Sequence, residues 1–149
     1  MKEISAKNIR LVAMDLLARR EHSRLELTRK LHKRFSDKQE EIEEELDRLQ
    51  SEGLQCDARL AEAFLQARTS RGQGPSKIRN ELKGKGVSQD AISLAFEACE
   101  VDWFDLAQTV AEKKFGDLSG QLQDLKSKGK VSRFMQQRGF SYDHISSLD

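Results

Sequence analysis

The chain has 149 residues and carries a net charge of +1, with 34% charged and only 6% aromatic residues. That length allows one ordinary domain, or a few small ones sharing a continuous core, and a charged fraction well above the usual value of about 25% suits a slender body better than a sphere. No apolar run approaches the roughly 18 residues of a membrane-spanning helix, and the apolar opening "LVAMDLLARR" is broken by Asp15 before any small-residue cleavage site, so a cytoplasmic protein without a membrane partner is expected.

Taken in chain order, the apolar residues recur at helical spacing. Ile9, Val12, Leu16 and Leu17 share one face, followed by Leu27 and Leu31, then Ile42, Leu46 and Leu49. Further along come Leu60 and Phe64, Ile78 and Leu82, Ile92 and Phe96, and Leu106 and Val110; no comparable stretch alternates with period two. "SRLE" from Ser23 and "SDKQ" from Ser36 each place a serine three residues ahead of a side chain that can close a capping box, so helices are expected to begin near residues 24 and 37. The segment "RGQGPSKIRNELKGKGV", residues 71–87, holds the chain's single proline and four of its nine glycines. Pro75 belongs in a first helical turn and Gly86 in the left-handed position that ends a helix, which predicts a helix over about 76–84, a turn, and a new helix at Ser88.

A weak internal repeat is superimposed on this pattern. Ile78, Leu82, Val87 and Ile92 are spaced as Val131, Met135, Phe140 and Ile145 are, 53 residues later, and Leu27 and Leu31 stand in the same relation to Ile78 and Leu82. The fold expected is all-α: tandem three-helix repeats over 1–55, 56–100 and 101–149, forming an elongated, curved, solenoid-like body. Spacing alone leaves open a single irregular helical domain.

Charge follows the same division. Residues 1–35 hold 10 basic against 4 acidic residues, 36–63 hold 3 against 10, 64–88 hold 6 against 1, 89–112 hold 0 against 6, and 113–138 hold 7 against 2. Each unit opens basic and closes acidic, so a near-zero net charge conceals alternating blocks.

Three-helix units with a glycine turn before the last helix have the outline of a helix-turn-helix module, which makes a stand-alone DNA-binding regulator the alternative reading. Its recognition helices would be "KQEEIEEELDRLQ" and "SQDAISLAFEACE", whose carboxylates repel phosphates. The basic residues lie instead on first and second helices: Arg24, Arg29 and Lys33; Arg68, Arg71, Lys77, Arg79, Lys83 and Lys85; and Lys128, Lys130 and Arg133. Such stripes suit a phosphate backbone or an acidic protein groove. Phe64, Phe96 and Phe134 fall at core spacing and are expected to pack rather than stack on bases. No phosphate loop, HExxH, GxSxG or paired-cysteine pattern occurs, so no enzyme activity, catalytic residue, cofactor or metal is expected. The scattered Cys56 and Cys99 read as small buried hydrophobes.

"DARLAEAFLQARTSRGQGPSKIRNELKGKGV", residues 57–87, resembles the signature region of the RecX family of bacterial regulatory proteins, through Asp57, Arg59, Ala61, Phe64, Arg68, Arg71, Gly74, Pro75, Ile78, Glu81, Leu82, Lys85 and Gly86. "LLARREHSRLELTRKL", "DWFDLAQTVAEKKFGD" and "RFMQQRGF" extend the likeness over most of the chain and are most similar to the proteobacterial members. Where relatives often have an aromatic and then an acidic or Asn residue before the aspartate, this chain has "LQCD". The resemblance implies a monomer that binds the RecA recombinase filament on DNA, touches the DNA weakly and mainly through its backbone, and restrains strand exchange, ATPase and co-protease activities. It implies no catalytic motif. The binding residues it points to are Arg59, Arg68, Arg71 and the basic face of the 76–85 helix.

Overall fold

The computed structural model describes residues 2–149, so the first residue of the 1–55 repeat lies outside the described residues. Among the described residues ten helices follow one another: α1 Lys2–Arg19, α2 Arg24–Arg34, α3 Gln39–Ser51, α4 Asp57–Ser70, α5 Pro75–Gly84, α6 Gln89–Ala98, α7 Trp103–Phe115, α8 Leu118–Gln121, α9 Leu125–Gln137 and α10 Tyr142–Ser146. Two compact units are formed, one from Met1–Ala63 with Leu82–Ala95 and the other from Phe64–Glu81 with Phe96–Asp149.

In the first unit, Ile9 and Ala13 of α1, Leu27 and Leu31 of α2, and Ile42, Leu46 and Leu49 of α3 make one buried cluster. The faces read from the sequence are therefore the ones that pack. Ser23 caps α2 as expected: its Oγ accepts from the Glu26 N–H at 3.0 Å while Glu26 Oε1 accepts from the Ser23 N–H at 3.0 Å. Ser36 behaves differently. The Lys38 N–H turns back onto the Phe35 carbonyl at 3.0 Å, Ser36 and Asp37 are spent in that turn, and α3 begins at Gln39 with no side-chain cap. One carboxylate also enters the apolar face of α3: Glu45 is buried, and it is held by Arg10 at 3.0 Å and Arg48 at 2.9 Å.

Beside that core lies a knot of charge. Glu26 accepts from Arg20 at 2.8 Å and from Lys85 at 3.0 Å as well as from Ser23. Burial alone would raise its pKa, but these three donors overcome it and hold the carboxyl down at about 2. His22 is buried nearby with Nδ1 3.1 Å from the Arg20 carbonyl and Nε2 2.9 Å from Lys30 Nζ. A carbonyl needs a donor and an ammonium needs an acceptor, so the ring is neutral with its proton on Nδ1, and burial lowers its pKa.

The second unit buries Ala107, Val110 and Ala111 of α7 with Leu118, Val131, Met135, Phe140 and Leu148. The four-residue α8 falls between the two long helices and supplies Leu118 to this core; no periodicity in so short a piece could announce it. Cys56 and Cys99 are half-buried rather than core residues, Cys99 Sγ donating to the Phe96 carbonyl.

The turns ending α5 and α9 are the same turn. In the first, the Val87 N–H donates to the Leu82 carbonyl and the Gly86 N–H to the Lys83 carbonyl, at 3.1 and 3.0 Å. In the second, Phe140 donates to Met135 and Gly139 to Gln136, again at 3.1 and 3.0 Å. Both glycines have positive φ, 81° and 99°, the left-handed geometry of a Schellman cap. The 53-residue repeat is thus a repeat of helix, cap and following helix.

Within the second unit, the loop 71–76 is clasped to the turn at 138–140. The Gly74 N–H donates to the Arg138 carbonyl at 2.7 Å, the Ser76 N–H donates to the Gly139 carbonyl at 3.0 Å, and the Arg138 guanidinium donates to the Arg71 carbonyl. A Cβ on Gly74 would sit 2.4 Å from the Gly139 carbonyl carbon. Gly74→Ala should therefore cost at least about 2 kcal/mol, seen as a lower midpoint in thermal unfolding, because backbone cannot yield as a side chain can. Gly84→Ala, where an added Cβ meets nothing within 4 Å, should be neutral or stabilise by up to about 1 kcal/mol.

Acid should act through the charge knot. The native pKa of Glu26, about 2, lies below its ordinary value of 4.5, so its contribution is complete above about pH 4.5 and lost as pH falls towards 2. His22, also lowered, adds a loss that begins as pH drops through its ordinary 6.5. Denaturant unfolding across pH should show both limbs, and Glu26→Gln should remove the lower one, worth on the order of 3 kcal/mol.

Candidate binding surface

The thirteen basic residues singled out by sequence fall into two groups once their partners are known. In the first unit, Arg59 is exposed, yet its fork is occupied: Nε donates to Glu21 at 2.6 Å and the terminal nitrogens donate to the Gly53 and Leu54 carbonyls at 2.9 and 3.2 Å. The bond to Glu21 raises its pKa. It staples the turn before α4 to the turn before α2. Arg24 pairs with Asp47 at 2.7 Å and Gln50 at 2.9 Å, while its own N–H is capped by Asp57 at 2.9 Å. Asp57, the first residue of the signature stretch, is thus a helix cap for α2. Lys85 is the Glu26 partner already described, and its carbonyl accepts from Ser23 Oγ at 2.6 Å. Beside it, a Cβ on Gly86 would lie 2.8 Å from Leu25 Cβ, so the turn after α5 packs against the start of α2.

In the second unit, Arg68 lies 3.6 Å from Glu81 and 4.7 Å above the Phe64 ring. Arg79 stays exposed and lies 4.2 Å above the Phe96 ring. Both phenylalanines therefore pack as expected, and each carries a cation on one face. Lys77 is half-buried with its Cβ against Gly139.

The remaining seven, Arg29, Lys33, Arg71, Lys83, Lys128, Lys130 and Arg133, are exposed. None of them is in a salt bridge among the described residues. Arg29 and Lys33 are one turn apart on α2, Arg71 is in the loop after α4, Lys83 is on the last turn of α5, and Lys128, Lys130 and Arg133 are on α9. Arg138 is a further cation without a carboxylate partner among the described residues, half-buried and bonded to the Arg71 carbonyl, and it is not among the thirteen. Its signal was present: the 53-residue offset that pairs Gly86 with Gly139 also pairs Lys85 with Arg138. Lys113 and Lys114, exposed in the last turn of α7, belong to the basic block 113–138 and lie outside the thirteen. Among the described residues, no group of His, Cys, Asp and Glu is arranged to hold a metal, and no helix is long and apolar enough to cross a membrane. The surface offers fixed and free cations on helices, which can bind anions without chemistry at them.

Two family models match this chain, the second three-helix domain of RecX over residues 57–95 and the third three-helix domain of RecX over residues 100–148. The regulatory protein RecX of Pseudomonas putida strain GB-1 is 48% identical over 141 residues, covering 94% of this chain and 88% of that one. That of Pseudomonas tolaasii is 46% identical with the same coverage. The crystal structure of RecX from Lactobacillus salivarius superposes with a TM-score of 0.80 at 21% identity, over 97% of this chain and 94% of that one, which shows a common fold. An all-α fold of three-helix domains, a signature at 57–87 and close relatives along nearly the whole length agree, and the chain belongs to the RecX family of regulatory proteins.

Proposed function

We propose that this protein is a monomeric, cytoplasmic regulator that binds the RecA filament on DNA and restrains its strand exchange, ATPase and co-protease activities. In this reading the chain works as three tandem three-helix repeats, 1–55, 56–100 and 101–149, and does no chemistry of its own. Family membership supports the partner. The observation that carries the mode of action is the set of exposed cations on α2, on α5, on α9 and in the loop after α4 that have no carboxylate partner among the described residues. An uncompensated cation on a rigid helix keeps its full attraction for phosphates and acidic side chains of a polymer, whereas one already paired must first break its own bond. The cations without a carboxylate partner among the described residues, Lys77 and Arg79 included, are therefore the binding residues, and Arg24, Arg59 and Lys85 support them by fixing the first unit.

Competitive occupation follows: cations that hold the filament obstruct a second DNA and restrict its subunits. Phosphate contacts release counterions, so the inhibition weakens steeply with salt. Carboxylates crowd α3 and the stretch around α6, which disfavours the reading as a stand-alone regulator with a recognition helix.

The triple variant Arg71→Glu, Lys77→Glu, Arg79→Glu should lose most of its inhibition of RecA strand exchange at moderate salt while keeping its circular dichroism. It should lose about 1 kcal/mol of stability with the Arg79 contact to Phe96. Unaltered inhibition by the folded triple variant would remove this contact face. Tight, sequence-dependent binding of duplex DNA by the parent protein without RecA would favour the stand-alone regulator.

A further inference from the structure

The second unit contains a cleft of about 380 Å³ that none of the matches above assigns. Four cations from three separate segments surround it: Arg71 from the loop after α4, Lys113 and Lys114 from the end of α7, and Arg138 from the residue after α9. Among the described residues no carboxylate lines it; Glu112, next in sequence to Lys113, is engaged by Gln108 at 2.6 Å. The floor is apolar, made by Val110 and the Phe134 ring, with Lys114 Nζ 5.5 Å and the Arg138 guanidinium 5.9 Å from the ring centre. Phe134 packs as its spacing predicts, edge-on to Phe115 at 5.4 Å, but stays half-buried and so also lines the cleft, which the expectation of packing alone did not include.

The cations are held without being neutralised. Arg138 donates to the Arg71 carbonyl, pairs with no carboxylate among the described residues, and has a buried Nε–H without an acceptor. Gly72 makes room for it, since a Cβ there would stand 3.0 Å from Arg138 Nη2 and 2.9 Å from Val110. The missing side chain of Gly72 thus admits a guanidinium to the cleft wall.

We propose that this cleft seats one nucleotide of single-stranded nucleic acid, its phosphate among Arg71, Lys113 and Lys114 and its sugar and base edge over Val110 and Phe134. This deepens the filament-binding reading, and rests on it for the presence of a DNA strand where the protein acts. A volume near the lower end of small-ligand sites fits one nucleotide and excludes an intact duplex. Positive charge spread around a rim above an aromatic floor matches the chemistry of single-strand sites, where cations follow the backbone and apolar rings receive the bases. The hydroxyl of Thr109 at the cleft can donate to a phosphate oxygen, whereas that of Ser70 donates to the Gln66 carbonyl at 2.9 Å. An acidic protein segment would use the cations and leave the flat floor unmatched.

The test is fluorescence anisotropy of the full chain with labelled oligo(dT) of about fifteen nucleotides across a salt series. Lys113→Gln with Lys114→Gln should weaken binding roughly 10-fold at low salt and flatten the slope of log affinity against log salt by about 1.4, two charges at about 0.7 each. Phe134→Leu should weaken binding with the slope unchanged. Unchanged affinity and slope in the lysine double variant, with parental circular dichroism and unfolding midpoint, would overturn the cleft. So would parental oligonucleotide binding combined with lost binding to RecA free of DNA, which would make the cleft an acidic-protein site. If the parent inhibits strand exchange but the double variant binds oligo(dT) normally, the cleft fails and the filament reading stands. If the parent leaves strand exchange untouched yet the slope falls as expected, the filament reading fails and the cleft stands.

Discussion

Backbone meeting backbone at Gly74 and Gly139 is the constraint on which the second unit depends. The two segments approach until amide and carbonyl groups bond directly, at 2.7 and 3.0 Å, and neither side could bear a side chain at that point. Everything local to it follows. The loop after α4 is set at a defined angle, Arg71 offers its carbonyl to Arg138, Pro75 starts α5 on its first turn, and Ile78 is carried into the interior. In the first unit Gly86 has a parallel duty, bringing the turn after α5 onto Leu25 and the Lys85 carbonyl onto Ser23. The dense glycine and proline of residues 71–87 are the consequence of two close approaches, one at each end of a ten-residue helix.

Charge in this protein divides by what surrounds it. Arg10, Arg24, Arg59 and Lys85 each meet carboxylates within the first unit, several of them partly buried, and there the attraction is spent on holding turns and caps together. The exposed cations of α2, α5 and α9 have no such partner among the described residues and, in the function proposed above, keep their field for something outside the chain. A family signature read only as a binding motif conceals this division, because Asp57 and Arg59 act in folding while Arg71, a few turns later, faces outward.

Helices were legible because their apolar spacing is long and regular, and the cap at Ser23 was legible because its carboxylate partner stands three residues on. Ser36 shows the limit of the same rule. A capping pattern competes with whatever turn the preceding helix needs, and there the turn to Lys38 took the serine. The repeat at Leu82 to Val87 and Met135 to Phe140 reappears as two cap turns with equal hydrogen-bond lengths, since the left-handed glycine and the apolar residue after it encode that turn locally. The same repeat pairs Lys85 with Arg138, so a cation stands just ahead of the glycine in both turns.

By itself the sequence determined the all-α class, the positions of most helices, the core faces, the punctuation of residues 71–87 and the family, because each is written in local spacing or in a contiguous motif. Tertiary structure alone decided which cations are spent and which are free, why Gly74 cannot carry a side chain, and that Arg71, Lys113, Lys114 and Arg138 surround one cleft. Those facts depend on groups up to 67 residues apart meeting within a few ångströms, and no local period records such a meeting.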